Sequence, residues 1–266
     1  MRSLTFLLSV IVLLSSFVVV PDLKAVSAEK YYSALNGATV NVPDQIVERV
    51  KIPDFYYQKK PASIYYSGTG PEKKIALTFD DGPDARYTGQ ILDILKRYNV
   101  SATFFVIGKQ VQYFPEVVQR MVREGHVVAG HSWSHPNLAK LSDAQVRQEI
   151  VRTNQAVKNV TGKNMAMIRA PYGSVKGKEK VINQMGISIV GWNIDTWDWK
   201  AGRTPRQVTQ AVLQNLSPGS IVLKHSGGGD RSATVQALPK IIESLQQKGY
   251  EFVTVNELLE IPAYQD

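Results

Sequence analysis

Residues 77–84 read LTFDDGPD and set two carboxylates, Asp80 and Asp81, side by side at the end of an apolar run. Two anions this close repel, and one tends to keep a proton unless positive charge is supplied. Further along, HSWSH spaces His131 and His135 four apart, and RAPYG contributes Arg169 and Tyr172. On a helical turn the two imidazoles would point the same way, and one carboxylate would complete three protein ligands. Two histidines and a carboxylate, with a position left for water, make a catalytic rather than a closed structural metal set. One Asp would then hold the cation. The other would take a proton from a cation-bound water, whose pKa falls towards about 7. Standing alone, DDGPD reads rather as a helix-capping turn, and an isolated H-x-x-x-H as one cap and one core residue. The company these groups keep favours the metal.

Further groups fit the same chemistry. DTWDW carries Asp195, Trp197 and Trp199, and VLKH carries Leu223 and ends in His225. His225 ends the sixth strand candidate, on the far side of the strand order from the acid pair, and suits a general acid that protonates a leaving group, with Asp195 the expected partner orienting its imidazole. Tyr172 follows Pro171 in a loop, where its backbone N–H could help hold a developing oxyanion. Trp197 and Trp199 are either an apolar wall for a sugar ring or acetyl methyl, or core. His126 follows the helix-stopping Gly125 and precedes an apolar strand, so it is assigned to structure.

These groups need a frame. From Lys74 onward, short apolar runs recur at IALTF, ATFFVI, HVVAG, MAMIR, ISIVGWNI, SIVLKH and EFVTV, which makes seven strand candidates. Between them apolar residues repeat at helical spacing, as in Ile91, Leu92, Leu95 and Tyr98, or Leu238, Ile241, Ile242 and Leu245. Ser142 with Gln145 forms a capping box, Pro205 follows the cap Thr204, and Gly125, Gly162, Gly186 and Gly249 stop helices. Alternating strands and helices call for a parallel sheet with crossover helices, open or closed into a barrel. In such folds functional groups collect where strands end. Five of the seven strand candidates end in titratable or aromatic groups.

The chain has 266 residues, enough for one sizeable core, and a single catalytic domain over residues 71–266 is expected, after a polar lead-in at 29–70. Residues 1–28 combine a cationic start, an apolar stretch and small residues near Ala28, the pattern of a signal peptide. Left uncleaved, the segment would be an anchor, so the folded part is expected to be exported: secreted, or associated with cell wall or membrane. There is no cysteine, which excludes disulfides and thiol-linked lipid. The formal charge is +8, and 29 basic against 22 acidic residues remain beyond residue 28. A basic exported protein lingers near polyanions such as wall polymers, although scattered lysines also serve simply as a soluble surface. There is no nucleic-acid motif, and a monomer is expected.

Taken in order, TFDDGP, HSWSH, RAPYG, DTWDW and VLKH resemble the five motifs of the polysaccharide deacetylase family, the NodB-homology domain of carbohydrate esterase family 4. The resemblance covers roughly residues 74–259. It implies an α/β fold, a distorted (β/α)7 barrel, and a divalent metal, usually zinc, with cobalt or nickel able to substitute. It implies Asp80 as catalytic base and Asp81, His131 and His135 as metal ligands. It makes His225 the catalytic acid, Arg169 the group steadying Asp80, and Asp195 the partner of His225. Tyr172, Trp197, Trp199 and Leu223 fall on the substrate side. The implied reaction removes N-acetyl groups from N-acetylglucosamine-containing polysaccharide, peptidoglycan or chitin-like. An O-acetyl (acetylxylan-type) esterase, a non-catalytic glycan-binding protein and an iron oxygenase are the rivals. The fifth motif continues LKHS, where many members carry an acid after the histidine, and SGGGDRS follows. That departure leaves the chemistry intact and bears on the groove.

Overall fold

The computed structural model describes residues 64–265; the expected signal peptide and most of the lead-in, residues 1–63, lie outside them. Where apolar β-branched residues run together, the chain is extended and buried on both faces, as parallel strands under helices must be. The strands are β1 (Lys74–Asp80), β2 (Thr103–Val106), β3 (Val127–Gly130), β4 (Asn164–Met165), β5 (Met167–Ile168), β6 (Ser188–Ile189), β7 (Ile194–Asp195), β8 (Ser220–His225), β9 (Glu251–Phe252) and β10 (Tyr264–Gln265). The first nine, without β4, form a wholly parallel curled sheet in the order β6-β5-β3-β2-β1-β8-β7, with β9 against the start of β1. β4 and β10 make a separate antiparallel pair.

The distorted-barrel expectation holds, with two corrections. ISIVGWNI is not one strand: it breaks at Val190–Asn193 into β6 and β7, which are the two edges of the curled sheet. The lead-in partly fills that break, for Tyr65 N–H donates to the Ile189 carbonyl at 2.9 Å and Gly191 N–H to the Tyr65 carbonyl at 2.7 Å. Secondly, β8 is not remote from the acid pair. It is the direct neighbour of β1, with His225 in register with Asp80.

The helices are α1 (Tyr87–Tyr98), α2 (Gly108–Tyr113), α3 (Pro115–Arg123), α4 (Asp143–Thr161), α5 (Glu179–Asn183), α6 (Pro205–Gln214), α7 (Ser232–Gln247) and α8 (Val255–Leu259). The capping boxes at Ser142 and Thr204 are formed, and a third, at Thr254 with Glu257, starts α8. The short helices α2, α5 and α8 escape the periodicity reading because one or two turns cannot repeat an apolar face.

Along β1 the side chains alternate. Ile75, Leu77 and Phe79 join the core packed on the helices, with Ile91, Leu92, Leu95, Phe104, Leu238 and Ile241. Ala76 faces the opposite way, into the cluster of Phe105, Ala129, Met167, Val190 and Ile221 inside the curl. Thr78 and Asp80 share the Ala76 face by the same period. The Phe79 and Phe104 rings stack at 5.1 Å between sheet and helices. Truncating Phe104 to Ala would cost about 3–5 kcal/mol and loosen β1 beneath the acid pair.

Candidate active site

β1 ends at Asp80, and Asp81 turns out of the strand with φ 68°. Left-handed backbone costs a non-glycine residue about 1–3 kcal/mol and persists only where the surroundings fix it. Here the fixing partner is the glycine-rich loop after β8: a Cβ on Gly228 would stand 2.6 Å from Asp81 Oδ2, and one on Gly227 would stand 2.6 Å from the Asp81 carbonyl oxygen. The loop that departs from the expected fifth motif therefore packs directly on this carboxylate, and only glycines fit.

Asp80 is buried and takes Arg169 Nη1–H on Oδ1 at 2.8 Å. Arg169 is wholly buried and uses its fork fully: Nη1 also donates to Thr78 Oγ1 at 2.8 Å, and Nη2 to the Gly191 carbonyl at 2.8 Å. Its guanidinium lies 4.1 Å from the Phe105 ring centre. Burial pulls the Arg169 pKa below its usual value, and Asp80 opposes that pull.

His131 and His135 converge on Asp81, though not on a helical turn as the spacing suggests. The segment after β3 is an irregular loop in which Ser132 (φ 64°) and His135 (φ 62°) both bend left-handed. Glu149 of α4 clamps it, accepting the Trp133 and Ser134 N–H groups on Oε2 at 2.8 Å each. His131 Nε2 lies 3.5 Å and His135 Nε2 3.2 Å from Asp81 Oδ1. His131 Nδ1 pairs with the Arg169 carbonyl oxygen at 2.8 Å, and His135 Nδ1 with Tyr172 Oη at 3.2 Å. With Nδ1–H of His131 donating to that carbonyl, its Nε2 lone pair is left free.

The three side chains fit a divalent ion on two observations. Asp81 Oδ1 is buried and has no hydrogen-bond partner. The ligand atoms of Asp81, His131 and His135 all lie within 4.8 Å of one another. Burial would raise the Asp81 pKa, but the His135 imidazole facing its carboxylate and the charges of the histidines around it hold it down at about 2. Burial lowers that of His131.

On the neighbouring strand, His225 is held by Asp198 and not by Asp195. His225 Nδ1 meets Asp198 Oδ1 at 2.7 Å, and Asp198 Oδ2 takes the His225 N–H at 2.8 Å and the Thr234 hydroxyl at 2.6 Å. Burial works against the charged imidazole, but the bond to Asp198 and that residue's charge raise the His225 pKa overall. Those same contacts, together with Thr234, hold Asp198 low in spite of its own burial. Asp195 instead accepts the Trp197 N–H at 2.8 Å and so secures another left-handed residue, Trp197 at φ 55°. The signal for Asp198 was present as the second acid of DTWDW. The residues alternate after β7: Thr196 and Asp198 are buried while Trp197 and Trp199 are exposed.

The two tryptophans are therefore not core, being 41% and 46% exposed with ring centres 5.5 Å apart. Tyr172 is exposed too, on a turn with φ 60°. Leu223 is buried, and its carbonyl accepts the Thr196 hydroxyl at 2.8 Å. His126 stays apart from the site: its Nδ1 accepts the Ala102 N–H at 3.2 Å and its ring packs edgewise on Phe104.

Comparison with known proteins agrees with this arrangement. A family model described as polysaccharide deacetylase matches residues 67–190. The peptidoglycan-N-acetylglucosamine deacetylase of Bacillus cereus is 43% identical over 199 residues, which cover 73% of this chain and 72% of that one. The peptidoglycan-N-acetylmuramic acid deacetylase of Bacillus subtilis is 38% identical over 82% of this chain, which spans 47% of that protein's length. Among solved structures, a peptidoglycan N-acetylglucosamine deacetylase in complex with an N-oxidanyl-benzamide superposes with a TM-score of 0.73 at 40% identity, over 75% of this chain and 94% of that one.

Proposed function

The chain belongs to the polysaccharide deacetylase family, and from that premise we propose that it hydrolyses N-acetyl groups of peptidoglycan hexosamines, using a divalent metal held by Asp81, His131 and His135. One observation carries the reading. An unpartnered carboxylate oxygen faces two imidazole nitrogens, with a second, arginine-held carboxylate and a carboxylate-held histidine at the two neighbouring strand positions.

Zinc is the expected ion, and when bound it supplies a Lewis acid for the amide carbonyl and an acidified water near neutral pH. The chain's own groups do the rest. Arg169 fixes Asp80 through Oδ1, which leaves Oδ2, 3.8 Å from His131 Nε2, as the atom that accepts the water's proton. His225 has its Nδ1 committed to Asp198, so Nε2 is the nitrogen that delivers a proton to the departing sugar amine. The raised pKa favours the protonated imidazole that this role needs. Both proton carriers stand at the same level of adjacent strands, so one substrate amide between them can be served from two sides. Trp197 and Trp199 offer apolar faces to the glycan strand, and the Tyr172 N–H serves the developing oxyanion.

Acetate release from purified peptidoglycan, chitopentaose and acetylxylan, measured side by side with zinc-loaded protein, tests the reading. Peptidoglycan should be the best substrate, and Asp80→Asn should lower its rate by about 10²–10⁴-fold while still binding zinc. An Asp80→Asn protein as fast as wild type would sink the mechanism. Preference for acetylxylan would make the enzyme an O-acetyl esterase. No release from any of the three would leave a non-catalytic glycan binder.

A further inference from the structure

The segment that secures His225 also carries a charge that the reaction does not use. Lys200 follows Trp199, and its Nζ sits 3.9 Å from the Trp197 ring centre and 5.4 Å from that of Trp199. It is exposed and forms no salt bridge among the described residues. Exposed lysines normally have acids nearby to soften their field, but here none is close in sequence. Between Asp198, whose carboxylate is spent on His225 and Thr234, and Asp230 the chain has no acidic residue, while besides the buried Lys224 it carries Lys200, Arg203 and Arg206. Arg203 Nε donates to the Thr196 carbonyl at 3.2 Å and so ties this cationic stretch to the segment bearing the tryptophans. Trp197 is held in its left-handed conformation by Asp195, so the aromatic faces and the ammonium over them are built into the rim of the site.

Aromatic faces left open take the apolar face of a sugar ring, and an ammonium that stands over a ring with no carboxylate paired to it takes an anion. We propose that Trp197, Trp199 and Lys200 form a subsite for an anionic glycan unit, a hexosamine bearing a carboxylate, next to the unit that loses its acetyl group. This rests on the deacetylase reading and deepens it: the subsite reads charge on the neighbouring sugar, which a neutral chitin chain lacks. The carboxylate can be the sugar's own ether-linked acid or belong to a peptide attached to it.

The test compares wild type, Lys200→Gln and Lys200→Arg on three substrates: N-acetylglucosamine oligomers, alternating N-acetylglucosamine/N-acetylmuramic acid strands without peptide, and the same strands with peptide. In Lys200→Gln the ratio of kcat/KM on an anionic strand to that on the neutral oligomer should fall about three- to fivefold, mainly through KM. Lys200→Arg should keep the ratio, and about 0.5 M salt should erase the difference. A fall on peptide-free strands assigns the sugar's own carboxylate; a fall on peptide-bearing strands alone assigns the peptide's. An equal loss on all three substrates, or no loss on any, overturns the subsite and leaves the deacetylase reading standing. If wild type releases acetate from none of them, both fall.

Discussion

His126 and His131 stand at the two ends of one four-residue strand, β3, and by most single measures they are alike. Both are buried, at 4% and 3% exposure, and burial lowers both pKa values. Each offers Nδ1 to a backbone group, the Ala102 N–H or the Arg169 carbonyl. What differs is where the other nitrogen goes. His126 turns its ring against Phe104 and leaves Nε2 buried alone without a partner, whereas His131 Nε2 meets Asp81, Asp80 and a second imidazole. Burial and a shifted pKa therefore do not mark function in this molecule. Convergence of unsatisfied atoms at the C-terminal ends of the strands does. The backbone repeats the lesson. Of the seven non-glycine residues with positive φ among the described residues, Asn99 and Glu260 cap helices, and the other five, Asp81, Ser132, His135, Tyr172 and Trp197, ring the site.

The widest break between the two histidines should come from removing each in turn. His131→Ala removes one of the three proposed ligands, so zinc affinity, measured by chelator competition, and acetate release should both fall by about 10³-fold or more. His126→Gln should lower the melting temperature and leave zinc affinity within twofold. Equal loss of zinc affinity in the two variants would make the strand end irrelevant to metal binding.

The second difference is in stability against pH. His126 has its folded pKa pushed from 6.5 to about 4, chiefly by burial and despite the Glu124 charge. The unfolded chain therefore takes up its proton first. The stability tied to the neutral ring is complete above about pH 6.5 and is lost as pH falls towards 4. The loss amounts to about 3 kcal/mol. Urea unfolding at pH 7 and pH 4.5 should show this loss in wild type and a smaller one in His126→Gln. Parallel curves would mean that His126 is not the proton acceptor.

Much of this was legible in the residues, and the gaps have physical causes. The acid pair, the histidines and Arg169 could be singled out because strand patterns do not account for polar groups at strand ends. A parallel sheet with crossover helices followed from alternating periodicities, and its curl only from the family resemblance. Geometry beyond the reach of spacing was not legible. The four-residue step from His131 to His135 is made by a loop clamped on Glu149, not by a helix. Strand adjacency also hides in sequence, so His225 beside Asp80 had to come from the fold. Asp195 and Asp198 are equally acidic in DTWDW. Only the alternation after β7, which buries Asp198 and half-exposes Asp195, decides which one reaches the imidazole.

That last distinction extends the comparison to carboxylates. Asp198→Asn removes the charge that raises the His225 pKa, so the imidazole should lose its proton at lower pH and the basic limb of the rate profile should move down. The rate at pH 8 should fall about ten- to a hundredfold. Asp195→Asn, whose amide oxygen can still accept the Trp197 N–H and which does not touch His225, should shift no limb and cost at most a few-fold in KM. A shifted limb in the Asp195 variant instead would restore the partner that the motif alone suggests.

The smallest effect concerns the exposed end of the ligand set. His131 is braced by a backbone carbonyl inside the protein, whereas His135 is braced by the Tyr172 hydroxyl at 3.2 Å, on a residue 70% exposed. Removing a partner that orients a ligating imidazole weakens metal binding by about 10–100-fold where the partner is buried. Water can replace an exposed hydroxyl. Tyr172→Phe should therefore lower zinc affinity only about two- to fivefold, with the edgewise ring contact at 4.7 Å retained. A loss near a hundredfold would mean that the rim orients the metal as firmly as the interior does, and the contrast between a braced inner histidine and a loosely held outer one would fail.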